Sequence, residues 1–344
     1  MGIALTELLQ PKPLTIDELH DKIVAIDAFN FMFQFLASLR TPDGALLTDS
    51  KGNITSHLVG MFSRTTHLMQ KGVKCVFVFD GQAPALKQKE RDRRKSLKEV
   101  AQREYELAKE REDTESMKKY AQRTTSITED MVEEAKKLLT ALGLPYVQAP
   151  SEGEAQAAYM AQKGDVDFVA SQDADVFLFQ APKVIRNLSI LGKRKKTSKL
   201  NYETIGPELI TLSDLHNQLG IDNQKLIALS MLIGTDFNPG GIKGIGPKTA
   251  LKIVKDAQTL DEVFIQAQWA EKSPDLSWKD VFDVFTKMPV TDDYSLDFRP
   301  INEDALKQLL CDEHDFAVAR ITTTVKKLQK QQSQLTQKGL GDFV

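Results

Sequence analysis

Over residues 149–175 the chain reads APSEGEAQAAYMAQKGDVDFVASQDAD, which holds two pairs of acids, Glu152 with Glu154 and Asp173 with Asp175. The first pair opens a helical pattern. The second follows Phe168-Val169-Ala170, an apolar run that reads as a buried strand. Each pair also has a purely structural account. Ser151-x-x-Glu154 fits a capping box, acids suit a first helical turn, and Asp173 and Asp175 suit the start of a loop. The balance shifts because the arrangement recurs. Apolar runs at 22–26 and 73–79 end in Asp27 and Asp80, and Asp236, just beyond a helical pattern over 222–233, adds a seventh acid. Carboxylates crowded into one crevice raise each other's pKa values, and divalent cations are the simplest compensation. An all-oxygen set without a His or Cys cluster selects Mg²⁺ or Mn²⁺ over zinc. Two such ions about 4 Å apart suit in-line displacement at a phosphodiester.

Such acids need a common scaffold. Apolar strands separated by helical stretches favour a parallel sheet, whose carboxyl ends lie along one edge, where open α/β sheets bind ligands. The expected fold is therefore α/β, a mainly parallel central sheet flanked by helices. Phe29, Phe31, Phe33, Phe35 and Leu36 crowd the helix after Asp27 and are mostly core. Amphipathic helices are expected over 54–72 and 129–143, and strands over 144–147, 176–179 and 184–186. The basic run 192–199, GKRKKTSK, reads as a hairpin tip. Trp269 and Trp278 read as ordinary packing.

A net charge of -3 does not announce a nucleic-acid partner, so local charge must. Residues 87–98 carry seven basic residues (Lys87, Lys89, Arg91, Arg93, Arg94, Lys95, Lys98) against two acids. Lys87, Arg91, Arg94 and Lys98 share one helical face. That stripe is either a solvated surface or a basic face above the acidic crevice. In the second case Lys87 and Arg94 would offset charge developing on a scissile phosphate. Arg40 and Arg64 are further candidate DNA contacts. Gly241-x-x-x-x-Gly246 resembles a P-loop, but Pro247 stands before Lys248-Thr249 and no strand precedes it, which argues against ATP. Gly244-Ile245-Gly246 reads better as a hairpin whose amides meet a DNA phosphate.

Cys75 and Cys311 are too few for a disulfide framework, so a reducing intracellular compartment is expected. No apolar run reaches a membrane span. Residues 1–6 match a myristoylation pattern, but the favoured reading removes Met1 and uses the amino group of Gly2 inside the fold. The Gln-rich segment from 329 is expected to be a flexible tail, with Gln337, Leu340, Phe343 and Val344 as anchors that fold on a partner. The expected regions are 1–98 (N-terminal region), 99–125 (charged helical excursion), 126–258 (intermediate region with the glycine hairpin), 259–328 (C-terminal helices) and 329–344 (tail).

MGI, VAIDAFNFMFQFL, VFVFDG, APSEGEAQAAYMA, SQDAD, LIGTDFNPGGIKGIGPKTA and QKGLGDFV together resemble an archaeal-type flap endonuclease, in the family's order and over nearly the whole chain. The resemblance implies a PIN-like 5′-nuclease fold with a helical arch and a helix-two-turn-helix element. It implies cleavage of 5′-flap DNA and 5′-3′ exonuclease activity in Okazaki-fragment maturation and repair. Two Mg²⁺ are implied, one among Asp27, Asp80, Glu152 and Glu154, the other among Asp173, Asp175 and Asp236. Lys87 and Arg94 fall where the family keeps a catalytic basic pair, and Phe33 where a Tyr often stacks on a base. Gly244 to Pro247 correspond to a turn that holds duplex phosphates through K⁺. Gln337, Leu340, Phe343 and Val344 match the box that binds a PCNA-type sliding clamp, with Val344 in place of a frequent aromatic. A monomer in an archaeal cytoplasm is implied, or in a nucleus if the source is eukaryotic.

Other classes fit these residues less well. A clamp-tethered, non-catalytic junction-binding protein has no reason to keep seven acids. A related 5′-exonuclease or bubble-cutting nuclease usually carries larger insertions than the excursion between Asp80 and Glu152. A PIN-like ribonuclease shares the acidic crevice but neither the glycine hairpin nor the tail.

Overall fold

The computed structural model describes residues 8–111, 113–188, 192–195 and 202–341. β1 (Lys12–Pro13) leads to β2 (Ile23–Asp27), α1 (Ala28–Ser38), α2 (Ser56–Gln70) and β3 (Lys74–Phe79). The long helix α3 (Gln88–Glu110) and α4 (Thr114–Arg123) form an excursion. α5 (Glu129–Ala141) returns the chain to β4 (Tyr146–Gln148), α6 (Gly153–Lys163), β5 (Phe168–Ala170) and β6 (Lys183–Arg186). A hairpin of β7 (Gly192–Lys195) with β8 (Tyr202–Ile205) precedes β9 (Glu208–Thr211). Helices follow: α7 (Leu212–Leu219), α8 (Asn223–Ile233), α9 (Pro247–Asp256), α10 (Leu260–Gln266), α11 (Trp269–Lys272), α12 (Trp278–Thr286), α13 (Glu303–Lys307) and α14 (Val318–Gly341).

The main sheet runs β1-β9-β6-β5-β2-β3-β4. β6, β5, β2, β3 and β4 are parallel, while β9 and β1 add an antiparallel edge. Val24 and Ile26 of β2 and Cys75, Phe77 and Phe79 of β3 pack with α1, α2 and α5 on one face. Ala25, Val76 and Val78 pack with α6 and α8 on the other. The sheet is thus the middle of three layers, which is why β2 and β3 read as unbroken apolar runs. Trp278 stacks on Phe264 with centroids 4.4 Å apart, and Trp269 Nε1 donates to Leu276 O, so both tryptophans serve packing. Among the described residues no helix is long and apolar enough to cross a membrane.

Four expectations change. The strand expected at 176–179 is a 3₁₀ turn, Ala174–Phe177, begun where Asp173 accepts from Asp175 N at 3.3 Å. A fully buried apolar run has no periodicity to tell strand from turn. The arch expected at 99–125 has no boundary at 98, because α3 runs unbroken from Gln88. The basic run expected as a hairpin tip enters as strand β7, and 196–199 lie outside the described residues. Finally, the tail expected to be flexible from 329 continues α14 to Gly341. Ile321, Val325 and Leu328 bury one stripe of that helix, and Gln and Lys propagate it.

Candidate active site

Four neighbouring strands, in the order β5-β2-β3-β4, finish on one edge of the sheet, and the exit of each delivers acids. β2 ends at Asp27, whose side chain accepts from Asn30 N at 2.9 Å and so caps α1. β3 is followed by Asp80, whose Oδ1 accepts from Gly153 N at 2.6 Å. This bond caps α6 from a different part of the chain and draws Glu152 and Glu154 against Asp80. A Cβ on residue 153 would sit 2.7 Å from Asp80 Oδ1, so a larger residue would have to push that carboxylate aside. The capping box does not form: the Ser151 hydroxyl donates to Gln82 O at 2.9 Å. After β5, the Ser171 hydroxyl donates to Glu154 Oε1 at 2.7 Å and accepts from Asp173 N at 3.0 Å. Asp236 arrives from outside the sheet, on a loop after α8. There the buried Thr235 hydroxyl donates to Asn238 Oδ1, and Asn238 Nδ2 donates to Met231 O, each at 2.6 Å.

Burial and neighbouring acids shift several of the seven. Burial, then Asp80 and Asp173, push Asp27 up to about 7. Burial, then Asp173 and Asp236, push Asp175 up to about 8. Glu154 rises well above the usual carboxylate range through burial and the charges of Asp173, Asp27 and Asp175. Burial also raises Asp80 and Glu152, with Lys87 opposing both shifts. Lys87 Nζ stands 2.5 Å from Glu152 and 3.8 Å from Asp236, and Arg94 Nη2 reaches Asp236 at 2.9 Å. Among the described residues no three His, Cys, Asp or Glu side chains converge tightly enough to hold an ion alone. The acids form a wall along the strand exits. A wall of oxygens suits Mg²⁺, which keeps several waters and takes one or two carboxylates directly.

A pH dependence follows. The folded pKa values of Asp27 and Asp175 lie above the ordinary value of 3.8, so folding favours their protonated forms. Their contribution to stability is complete below about pH 4 and is lost as pH rises through about 7 to 8. Metal-free protein should therefore melt several degrees lower at pH 8 than at pH 5.5, roughly the shift of a few kcal/mol in a chain of this size. Mg²⁺ should narrow the gap. Calorimetry in EDTA and in Mg²⁺ measures it, and a Tm that climbs with pH in EDTA would contradict the arrangement.

The other candidates divide. Phe33, 43% exposed, stands roughly 9 Å along α1 from Asp27. With Arg64, His67 and Arg320 it lines a groove of about 920 Å³ beside α1 and α2. Arg64 is not the solvated residue that a lone arginine suggests: it is buried, and burial draws its guanidinium down to about 10. Arg40 is a brace, donating to Leu36 O, Gly44 O and Thr125 Oγ1. Gly244 adopts a left-handed φ of 88° in an exposed turn, Ile245 follows it half-buried, and Gly246 is the N-cap of α9 without a side-chain cap. Gln337 and Leu340 fall on the last turns of α14, whereas Gly2, Phe343 and Val344 lie outside the described residues. Sequence reasoning missed Ser171, Thr235, Asn238 and Gln156. Buried Gln156 on α6 donates to Thr291 O at 2.9 Å and accepts from Thr291 N at 2.8 Å, which fixes the helix carrying Glu154. Ser171 and Thr235 had a signal, their places just before Gln172-Asp173 and Asp236.

The chain matches the XPG N-terminal domain over residues 1–101 and the XPG I-region over residues 143–236. It is 48% identical over 330 residues to flap endonuclease 1 from Pyrococcus abyssi, covering 96% of this chain and 94% of that one. The solved structure of flap endonuclease-1 from Methanococcus jannaschii superimposes with a TM-score of 0.74 at 39% identity, covering 96% of this chain and 98% of that one. The catalytic core of Rad2, solved with a DNA substrate, gives a TM-score of 0.66 at 24% identity over 92% of this chain and 96% of that one, a likeness of fold.

Proposed function

The chain belongs to the flap endonuclease family, and on that premise we propose that it cuts 5′-flap DNA beside the single-strand/duplex junction by metal-dependent phosphodiester hydrolysis. It would also act as a 5′-3′ exonuclease, in Okazaki-fragment maturation and base excision repair. The observation that carries this reading is the delivery of six acids by four adjacent strand ends, with Asp236, Lys87 and Arg94 closing over them.

Two Mg²⁺, replaceable by Mn²⁺, would be held by Asp27, Asp80, Glu152 and Glu154 and by Asp173, Asp175 and Asp236, and when bound would lower the pKa of an attacking water and offset charge on the leaving oxygen. The Lys87 ammonium and the Arg94 guanidinium, reaching over from the start of α3, hold the scissile phosphate against that wall of like charge. The exposed ring of Phe33 stacks on a base at the junction. The Gly244-Ile245-Gly246 turn grips duplex phosphates, with K⁺ shared at the turn, and reads no sequence. Gln337, Leu340, Phe343 and Val344 dock on a PCNA-type sliding clamp. The protein works as a monomer, in the cytoplasm if its source is archaeal.

A 5′-labelled double flap and a matched blunt duplex, incubated with Mg²⁺ or EDTA, test the activity. A single Mg²⁺-dependent cut beside the junction is expected. Binding without any cut in Mg²⁺ or Mn²⁺ would favour a clamp-tethered binding protein instead. Replacing Gly244 and Gly246 together with alanine should weaken flap-DNA binding about tenfold, since Gly244 has a backbone that L-residues resist. Fluorescence anisotropy with Asp173→Ala as the uncut background reads this, and unchanged affinity removes the turn from the DNA interface.

A further inference from the structure

Helix α3 exposes nearly all of its side chains; Glu90, Ala101 and Ala108 are its buried residues. A fully buried carboxylate on a solvent-facing helix is out of place unless something holds it. Two arginines do. Glu90 Oε2 accepts from Arg93 Nε at 2.7 Å, while Oε1 accepts from Arg93 Nη2 at 2.8 Å and from Arg94 Nε at 2.7 Å. Arg94 is thereby pinned along one edge of its guanidinium, and its Nη2 is left pointing across the crevice to both oxygens of Asp236, at 3.0 and 2.9 Å. Lys87, Glu90 and Arg94 follow at i, i+3 and i+7, so the anchor lies on the same helical stripe as Lys87 and the Arg94 it holds.

We propose that Glu90 is a positioning residue for the cleavage reaction, acting through Arg94, an inference that rests on the catalytic reading of Arg94 above. An arginine stem has several rotatable bonds, and a guanidinium free to swing would meet the scissile phosphate in only a fraction of its conformations. Glu90 fixes the Nε edge and leaves the Nη groups as the reaching end. It orients the charge before DNA arrives and touches no reacting atom. Arg93, which occupies the rest of the Glu90 carboxylate, forms no ion pair with the seven acids among the described residues.

Single-turnover cleavage of a double-flap DNA, with flap affinity measured in parallel, tests the inference. Glu90→Ala should slow cleavage about tenfold and change affinity less than twofold, because orientation rather than binding is lost. Glu90→Gln keeps the shape but loses the charge, so it should fall between wild type and Glu90→Ala, and it serves as the check if Glu90→Ala folds poorly. Arg93→Ala should cleave close to the wild-type rate. In an Arg94→Ala background, Glu90→Ala should add less than a twofold loss. Multiplying losses in the double variant, or a loss of affinity matching the loss of rate, would overturn the proposal. If Arg94→Ala itself cleaves normally, the reading of Arg94 fails. If Arg94→Ala is slow while both Glu90 variants are fast, only the role of Glu90 falls.

Discussion

Asp80→Ala and Asp80→Asn should each lower flap cleavage on the order of a thousandfold, with flap DNA still bound, yet differ from one another in stability. Asp80 does two things at once. It is one acid of the wall, and its Oδ1 accepts from Gly153 N at 2.6 Å to cap α6. Alanine removes both functions, and the lost cap costs about 1 kcal/mol. Asparagine keeps an acceptor at the cap and removes a negative charge that raises the pKa of Asp27. In EDTA, Asp80→Asn should therefore melt at or above wild type and Asp80→Ala below Asp80→Asn. Rapid-quench cleavage assays and thermal melts separate the two effects. Equal melting temperatures would mean that the bond to Gly153 N does not hold α6, and retained cleavage in either variant would remove Asp80 from the catalytic wall.

The acids were legible because their signal is local. Asp27 and Asp80 terminate apolar runs buried on both faces, and a parallel sheet must bring such ends together. Several supports of the acids were not legible, because they pair residues far apart in sequence. Ser151 looked like the cap of α6, but Asp80, 73 residues away, holds that helix end and leaves the Ser151 hydroxyl to Gln82 O. Glu90 is a local case: its partners Arg93 and Arg94 are three and four residues on, but in a charged run nothing marked it as the buried acid that both arginines grip. Gln156 reads as a helix filler until Thr291 is placed beside it. Arg40 and Arg64 erred the other way: a lone arginine defaults to solvent, whereas one braces three segments and the other is buried.

Lys87→Ala and Arg94→Ala should each slow cleavage about a hundredfold or more, and only Lys87→Ala should also weaken the metal-free fold. Burial works against the Lys87 ammonium, but Glu152, Asp80 and Asp236 outweigh it and raise its pKa. A raised lysine pKa means that its contribution to stability is fully present at pH 8. Lys87 opposes the upward shifts of Asp27, Asp80, Glu152 and Asp175, so its loss exposes four acids to uncompensated repulsion. Arg94 contacts a single acid of the wall, Asp236, and is otherwise held by Glu90 on its own helix. Its removal takes a reaching charge from the crevice without unbalancing the rest. Melts in EDTA at pH 8 should thus show a clear drop for Lys87→Ala and little change for Arg94→Ala, while both are slow in single-turnover cleavage. A drop of equal size in the two would mean that both cations chiefly neutralise the acids, and catalysis would then need another source of positive charge at the phosphate.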